Sequence, residues 1–132
     1  MNSVSINARK IYPKESLPAE ILDFELTFFS AAGVACADPK PGTSFHGVLH
    51  KCTHEEMKIL DGIEKSYDRI PSKAKLYDGK IIDCTVYSDP KGEIDHSNDK
   101  PPTERYIQIM TEGAQFYGVK PEYIDYLNGL EL

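Results

Sequence analysis

The chain has 132 residues and a formal net charge of −6 at pH 7, with 40% hydrophobic and 27% charged residues. This length and composition are typical of one globular domain, so we predict a single domain over residues 1–132. The acidic balance argues against nucleic acid as a partner, and no apolar run reaches the roughly 20 residues that span a bilayer.

The three cysteines, at positions 36, 52 and 84, form no close pair, and their odd number argues against a disulfide framework. Free thiols are typical of a reducing compartment. The N-terminal residues lack the basic and apolar regions of a secretion signal. We therefore expect a cytoplasmic protein.

The first part of the chain is predicted to contain a short helix and two strands. Residues 3–10 are compatible with a helix that ends before Pro13. The alternating run 23–29 predicts a strand, the proline- and glycine-rich residues 37–43 predict a loop, and residues 45–52 predict a second strand.

A helix with signals at both ends is predicted to follow the second strand. Thr53 and Glu56 have the spacing of a capping box, in which each side chain bonds the backbone N–H of the other residue. Gly62 is expected to end this helix in the left-handed conformation, so that Glu64 follows the helix end. The apolar face of the helix consists of Met57, Leu60 and Ile63.

Two further strands are predicted to form a hairpin. Residues 70–77 and 80–87 are joined through Asp78-Gly79, a dipeptide that favours a tight turn. The polar residues 89–101 are then predicted to form a loop that is long for a compact domain. Two interpretations of this loop are left open, a lid and plain disorder.

Two helices are predicted to complete the chain. Thr103 can cap a helix that Gly118 ends, and Pro121 suits the first turn of a last short helix. The order of strands, helix, hairpin and helices favours an α+β fold with a mainly antiparallel sheet, curled into a small barrel.

Glu64 is the best candidate for a general base in this chain. A carboxylate just beyond a helix lies near the negative end of the helix dipole, which disfavours its charged form and raises its proton affinity. Such a carboxylate suits acid–base chemistry near neutral pH. An ordinary solvated acid at a helix end is the alternative that these residues leave open.

Tyrosine is unusually prominent, with eight tyrosines and no tryptophan in the chain. Tyr67 follows the candidate carboxylate, Tyr87 lies late in a predicted hairpin strand, and Tyr106 lies early in a predicted helix. Each phenol can offer a hydrogen bond at the wall of a polar pocket. A place at the edge of the core, usual for an amphipathic ring, is the alternative.

A metal site is not predicted, although His46, His50 and Cys52 share one face of a predicted strand and zinc uses such ligands. Neighbours on that face are roughly 7 Å apart, too far for a compact site. His54 already belongs to the cap of the next helix, so the ligands do not converge.

Several runs of residues, in a consistent order, resemble the γ-glutamyl cyclotransferase-like superfamily, which includes the AIG2-like proteins. The resemblance covers roughly residues 20–128, and its C-terminal third is similar to the γ-glutamyl cyclotransferases themselves. The central runs are Phe45-His46-Gly47-Val48-Leu49, Leu60-Asp61-Gly62-Ile63-Glu64 and Tyr67-Asp68-Arg69. The C-terminal runs are Pro101-Pro102-Thr103-Glu104-Arg105-Tyr106, Gly113-Ala114 and Gly118-Val119-Lys120-Pro121-Glu122-Tyr123.

The resemblance implies a small mixed barrel flanked by helices and a reaction in which the α-amine of a γ-glutamyl amino acid attacks its own γ-carbonyl. The products are 5-oxoproline and a free amino acid. It implies Glu64 as the catalytic residue, with Tyr87, Tyr106 and, less closely, Tyr67 binding the substrate. Because the nucleophile belongs to the substrate, no cofactor and no metal is expected. The expected partner is a small γ-glutamyl molecule, and a homodimer is left open.

The chain departs from the family pattern at its N-terminus. The family opens with a strand that ends in Tyr-Gly-Ser-Asn, whose backbone amides help to bind the γ-glutamyl part, and the chain lacks this run. Met1-Asn2 resembles the residues that follow it, so we expect a barrel that is incomplete at the N-terminus. Lys65 also stands where the family has glycine. A truncated form, another segment in the gap, and a non-catalytic family member that binds a small metabolite or a protein partner are all open.

Overall fold

The computed structural model describes residues 7, 11–28, 35–63, 67–89 and 101–130. The helix predicted for residues 3–10 and most of the loop predicted for residues 89–101 lie outside these ranges. The elements in chain order are β1 (Glu15–Thr27), β2 (Cys36–Lys51), α1 (His54–Ile63), β3 (Asp68–Leu76), β4 (Ile81–Ser88), α2 (Glu104–Tyr117) and α3 (Pro121–Asn128). None of the helices in the described ranges is long and apolar enough to cross a lipid bilayer.

The four strands form one sheet in the order β2-β1-β3-β4, and the described pairings are all antiparallel. β1 pairs with β2 along its whole length, whereas only Ala19–Ile21 pair with β3. The sheet curls until its two edge strands meet at one end, where the Ser88 hydroxyl donates to the Ala37 carbonyl oxygen at 2.7 Å. The predicted α+β class with a mainly antiparallel, curled sheet is confirmed.

The loop predicted for residues 37–43 is wrong, because these residues belong to β2. The register with β1 shifts between Leu22 and Phe24, and the intervening Asp23 has a φ of 64°. Gly42 takes a φ of 84° opposite this irregularity, and its N–H donates to the Asp23 Oδ1 at 3.0 Å. Proline and glycine usually mark a loop, but at the edge of a sheet a bulge can accommodate them without ending the strand.

The first strand also begins earlier than predicted, at Glu15 rather than at residue 23. Pro18 breaks the alternating pattern in this stretch and conceals the strand. It pairs with Val48 of β2 but precedes the Ala19–Ile21 segment that also pairs with β3. A proline is tolerated there because it has no N–H to offer to a second neighbouring strand.

The start of α1 agrees with the prediction, whereas its end does not. The Thr53 N–H donates to the Glu56 carboxylate at 2.9 Å, and the Glu56 N–H donates to the Thr53 hydroxyl at 3.2 Å. The capping box is therefore confirmed. Gly62 lies inside the helix, which continues to Ile63, and it is not among the residues with positive φ. The left-handed stop at Gly62 is wrong, because glycine permits that conformation without imposing it.

The hairpin and the two C-terminal helices are confirmed. Gly79 has a φ of 94° in the turn between β3 and β4. The Thr103 hydroxyl accepts from the Tyr106 N–H at 3.1 Å and caps α2, which Gly118 ends with a φ of 82°. Pro121 is the first residue of α3.

Two apolar clusters form the core, one inside the curled sheet and one beneath α2 and α3. The buried members are Ala19, Ile21, Phe24 and Ala74 in the first cluster and Phe28, Ile107 and Leu127 in the second. Across α1, all of which the structure describes, no residue is buried. The position of α1 therefore depends on its polar contacts more than on core packing.

Candidate active site

A cavity of about 840 Å³ is lined by residues of all four strands, α1 and α2. Leu49, Leu60 and Met110 make part of its wall apolar, whereas Arg69 and Tyr87 supply polar groups. A volume of this order, with apolar surface and hydrogen-bonding groups on the same wall, is compatible with a site for a small molecule.

Two of the three tyrosines predicted to bind substrate line this cavity, Tyr87 from β4 and Tyr106 from the first turn of α2. The Tyr106 hydroxyl accepts from the Ala35 N–H at 2.9 Å. Tyr67 is not among the described lining residues, and its hydroxyl lies 3.5 Å from the Cys36 Sγ. Because Ala35 and Cys36 are adjacent, Tyr67 and Tyr106 approach the same point at the start of β2.

Glu64, the predicted catalytic residue, lies outside the described residues, which end with α1 at Ile63 and resume at Tyr67. Its role therefore stays a prediction. The structure does place Asp61, three residues earlier in the chain, and the contacts of this carboxylate connect α1 to the cavity wall.

Asp61 joins α1 to both β3 and β4. Its Oδ1 accepts from the Arg69 Nε at 2.7 Å and from the Tyr87 hydroxyl at 2.6 Å, and its Oδ2 accepts from the Arg69 Nη2 at 2.5 Å. The bonds from Arg69, and then that from Tyr87, lower the pKa of the Asp61 carboxyl group. The network therefore contains an ionised, bidentate carboxylate–guanidinium pair.

Burial, and then the hydrogen bond to Asp61, raise the pKa of Tyr87 to about 12. Tyr87 therefore keeps its proton over the physiological pH range. Sequence reasoning gave no role to Asp61 or Arg69, although both lie in the runs that carry the family resemblance. Their opposite charges on either side of the end of a predicted helix were the signal that could have identified the pair.

The histidines considered as metal ligands have other partners. The His50 Nδ1 lies 2.8 Å from the Ser16 hydroxyl, and its ring meets the Tyr117 ring edge-on. The His46 Nδ1 lies 2.8 Å from the Tyr77 hydroxyl. Within the part of the chain that the structure describes, no three His, Cys, Asp or Glu side chains come together as a metal site would require.

The stability of the protein is expected to fall as the pH drops from 6.5 towards about 4, because burial lowers the pKa of His50 from 6.5 to about 4. Above this pH range His50 is neutral in both the folded and the unfolded protein, so it adds no pH dependence to the free energy of unfolding. Within it the unfolded chain binds a proton that the folded chain does not, so unfolding is favoured. The free energy of unfolding can be measured by urea denaturation at about pH 7 and again at about pH 5. It should fall less between these two pH values in His50→Gln than in the wild type.

The matched control is His54→Gln, which replaces an exposed histidine on α1. Because its side chain is exposed, replacing it should change the pH dependence of unfolding less than replacing the more buried His50. A His50→Gln variant that loses as much unfolding free energy as the wild type over this pH range would contradict the assignment.

A sequence model of the AIG2-like family matches residues 44–127, a range that includes Asp61, Arg69, Tyr87 and Tyr106. The match covers more than half of the chain. The chain belongs to the AIG2-like family.

Named relatives and a solved structure agree with this membership. The chain is 31% identical to gamma-glutamyl cyclotransferase gliK of Claviceps purpurea, over 85% of this chain and 57% of that protein. It is 27% identical to gamma-glutamylcyclotransferase of Homo sapiens, over 86% of this chain and 64% of that protein. The chain thus spans less than two thirds of the length of these relatives. A solved gamma-glutamyl cyclotransferase superposes with a TM-score of 0.78 at 26% identity, covering 98% of this chain and 82% of that one.

Proposed function

We propose that the chain is a γ-glutamyl cyclotransferase, which converts a γ-glutamyl amino acid to 5-oxoproline and a free amino acid. The observation that carries this proposal is the cavity that Tyr87, Tyr106 and α1 border, in a chain of the AIG2-like family. The names of the relatives support the same reaction. The cytoplasm is the compartment we propose for it, because all three cysteines are free thiols.

The proposed reaction is an intramolecular aminolysis. The α-ammonium group of the substrate gives one proton to Glu64, and the resulting amine attacks the γ-carbonyl carbon. A carbon–nitrogen bond forms in the five-membered ring, and the amide bond to the departing amino acid breaks. Glu64 returns this proton to the departing nitrogen as the amide bond breaks. The second proton, which the ring nitrogen must lose to become the lactam N–H, passes through Glu64 to the same departing nitrogen, so that the amino acid leaves with an ammonium group and one carboxylate serves as both base and acid.

The described residues contribute binding and orientation to this reaction. The cavity can hold the γ-glutamyl chain folded, with the amine near the carbonyl carbon, which can lower the barrier by several kcal/mol. Tyr87 and Tyr106 offer hydrogen-bonding groups at its wall, and Leu49, Leu60 and Met110 offer apolar surface to the remainder of the substrate.

The proposal is tested by incubating the purified chain with γ-glutamyl-alanine and, separately, with glutathione, and measuring 5-oxoproline by chromatography. We expect release above the uncatalysed rate with at least one of the two compounds. Heat-denatured protein at the same concentration is the control. Release at the control rate with both compounds would contradict the proposed activity.

A second candidate function is the binding of a γ-glutamyl metabolite without turnover. The observation that favours it is that Tyr87 and Tyr106 at the cavity wall can bind a ligand whether or not a proton is transferred. Saturable binding of γ-glutamyl-alanine, without 5-oxoproline release, would support this second function over the first.

A further inference from the structure

We propose that Asp61 is a positioning residue that fixes the hydroxyl proton of Tyr87, so that Tyr87 selects a ligand group that donates a hydrogen bond. The chemical class that fits is an ammonium group. This inference rests on the proposed function, in which the α-ammonium group of a γ-glutamyl substrate is that donor.

The direction of the hydrogen bond follows from the groups involved. A tyrosine hydroxyl has one proton to donate, and an ionised carboxylate can only accept. The Tyr87 hydroxyl lies 2.6 Å from the Asp61 Oδ1, so its proton is directed at Asp61. Tyr87 therefore has no further proton to donate into the cavity, and its oxygen, which also interacts with the Arg69 guanidinium group, can act there only as an acceptor.

Arg69 keeps the Asp61 carboxylate in place. It donates to both carboxylate oxygens, from Nε at 2.7 Å and from Nη2 at 2.5 Å. A planar, bidentate pair of this kind restricts rotation of the carboxylate. The position of the Oδ1 that receives the Tyr87 proton is therefore set by β3 as well as by α1.

Asp61 acts on a ligand only through its partners. Tyr87 and Arg69 line the cavity, whereas Asp61 is not among its described lining residues. The negative charge of Asp61 is also balanced by Arg69 within hydrogen-bonding distance. The Asp61–Arg69 pair therefore adds no net charge, and we assign its effect on a ligand to the direction of the Tyr87 hydrogen bond.

Tyr106 has the opposite arrangement. Its hydroxyl oxygen accepts a hydrogen bond from the Ala35 N–H, whereas Tyr87 donates its proton to a side chain. The two phenols of the cavity therefore do not duplicate one another. Of these two phenols, Tyr87 is the one to which recognition of a donor on the ligand is assigned.

The test compares two ligands that differ by one amino group, γ-glutamyl-alanine and N-glutaryl-alanine. The second lacks the α-ammonium group and cannot cyclise. Binding of both is measured by titration calorimetry in a Glu64→Gln background, in which no turnover is expected. Tyr87→Phe, which removes the acceptor oxygen, should weaken γ-glutamyl-alanine about tenfold or more and change N-glutaryl-alanine by less than about twofold.

Asp61→Asn should produce the same selective loss. An asparagine amide can donate to the Tyr87 oxygen, which occupies the acceptor and releases the Tyr87 proton towards the cavity. Tyr126→Phe and Glu55→Gln, which alter an exposed tyrosine of α3 and an exposed carboxylate of α1, are the controls and should leave both affinities unchanged.

If Tyr87→Phe weakened the binding of both ligands equally, the inference would be overturned, because a purely structural role of Tyr87 would affect the two ligands alike. Unchanged binding of γ-glutamyl-alanine, or binding of neither ligand, would also overturn it. The proposed function is judged separately, by 5-oxoproline release from the wild type. Thermal melting of each variant establishes that the protein is folded in the titration.

Discussion

Replacing Glu64 by glutamine is expected to lower the rate of 5-oxoproline release by at least about 100-fold, because the amide can neither take nor return a proton. Glutamine is close to glutamate in size, so the fold should be retained. The measurement is the initial rate with γ-glutamyl-alanine, together with a thermal melting curve of the variant. The melting temperature should remain close to that of the wild type.

The matched control for this prediction is Glu55→Gln, which removes a carboxylate from the exposed side of α1, where Glu55 lies 3.6 Å from the Lys58 Nζ. We expect wild-type turnover from it. If Glu64→Gln also turned over substrate at the wild-type rate, another residue would have to be the acid–base group.

Truncation of Phe24 to alanine is expected to lower the free energy of unfolding by roughly 3–5 kcal/mol, because it leaves a cavity in a packed interior. Phe24 is 4% exposed and belongs to the apolar cluster inside the curled sheet. Urea denaturation followed by circular dichroism measures the change. The variant should unfold at a lower urea concentration with a similar slope.

The same substitution at Phe116 separates burial from the loss of an aromatic ring. Phe116 lies on α2 and is 72% exposed, so Phe116→Ala should change the free energy of unfolding by no more than about 0.5 kcal/mol. Losses of similar size at both positions would mean that Phe24 does not pack as the structure describes.

Elements defined by local signals could be predicted from the sequence. The Asp78-Gly79 turn, the Thr103 cap and the Gly118 stop each depend on a few neighbouring residues, and the structure contains all three. The start of β1 and the continuation of β2 could not be predicted in this way. Both stretches contain prolines, which usually indicate a loop, whereas pairing with another strand keeps them extended.

The candidate site shows the same difference between features that depend on local sequence and features that depend on tertiary contacts. The sequence singled out Tyr87 and Tyr106, and both line one cavity, but only the fold shows that β4 and α2 meet there. Asp61 was overlooked because its importance comes from Arg69 and Tyr87, which lie beyond the end of its helix. The opposite charges of Asp61 and Arg69 hint at the pair in the sequence, but only the fold shows that Tyr87 joins it.

The sheet consists of two hairpins, β1–β2 and β3–β4, that touch along a short seam. Each hairpin pairs residues that are near in sequence, whereas the seam at Ala19–Ile21 pairs with Leu76–Ala74, far along the chain. Closing that long intervening segment carries an entropic penalty that falls on the seam. Ala19 and Ala74 have no exposed surface and belong to the apolar cluster inside the curled sheet, so forming the seam also buries part of the core. We therefore expect the seam to couple the folding of the two hairpins.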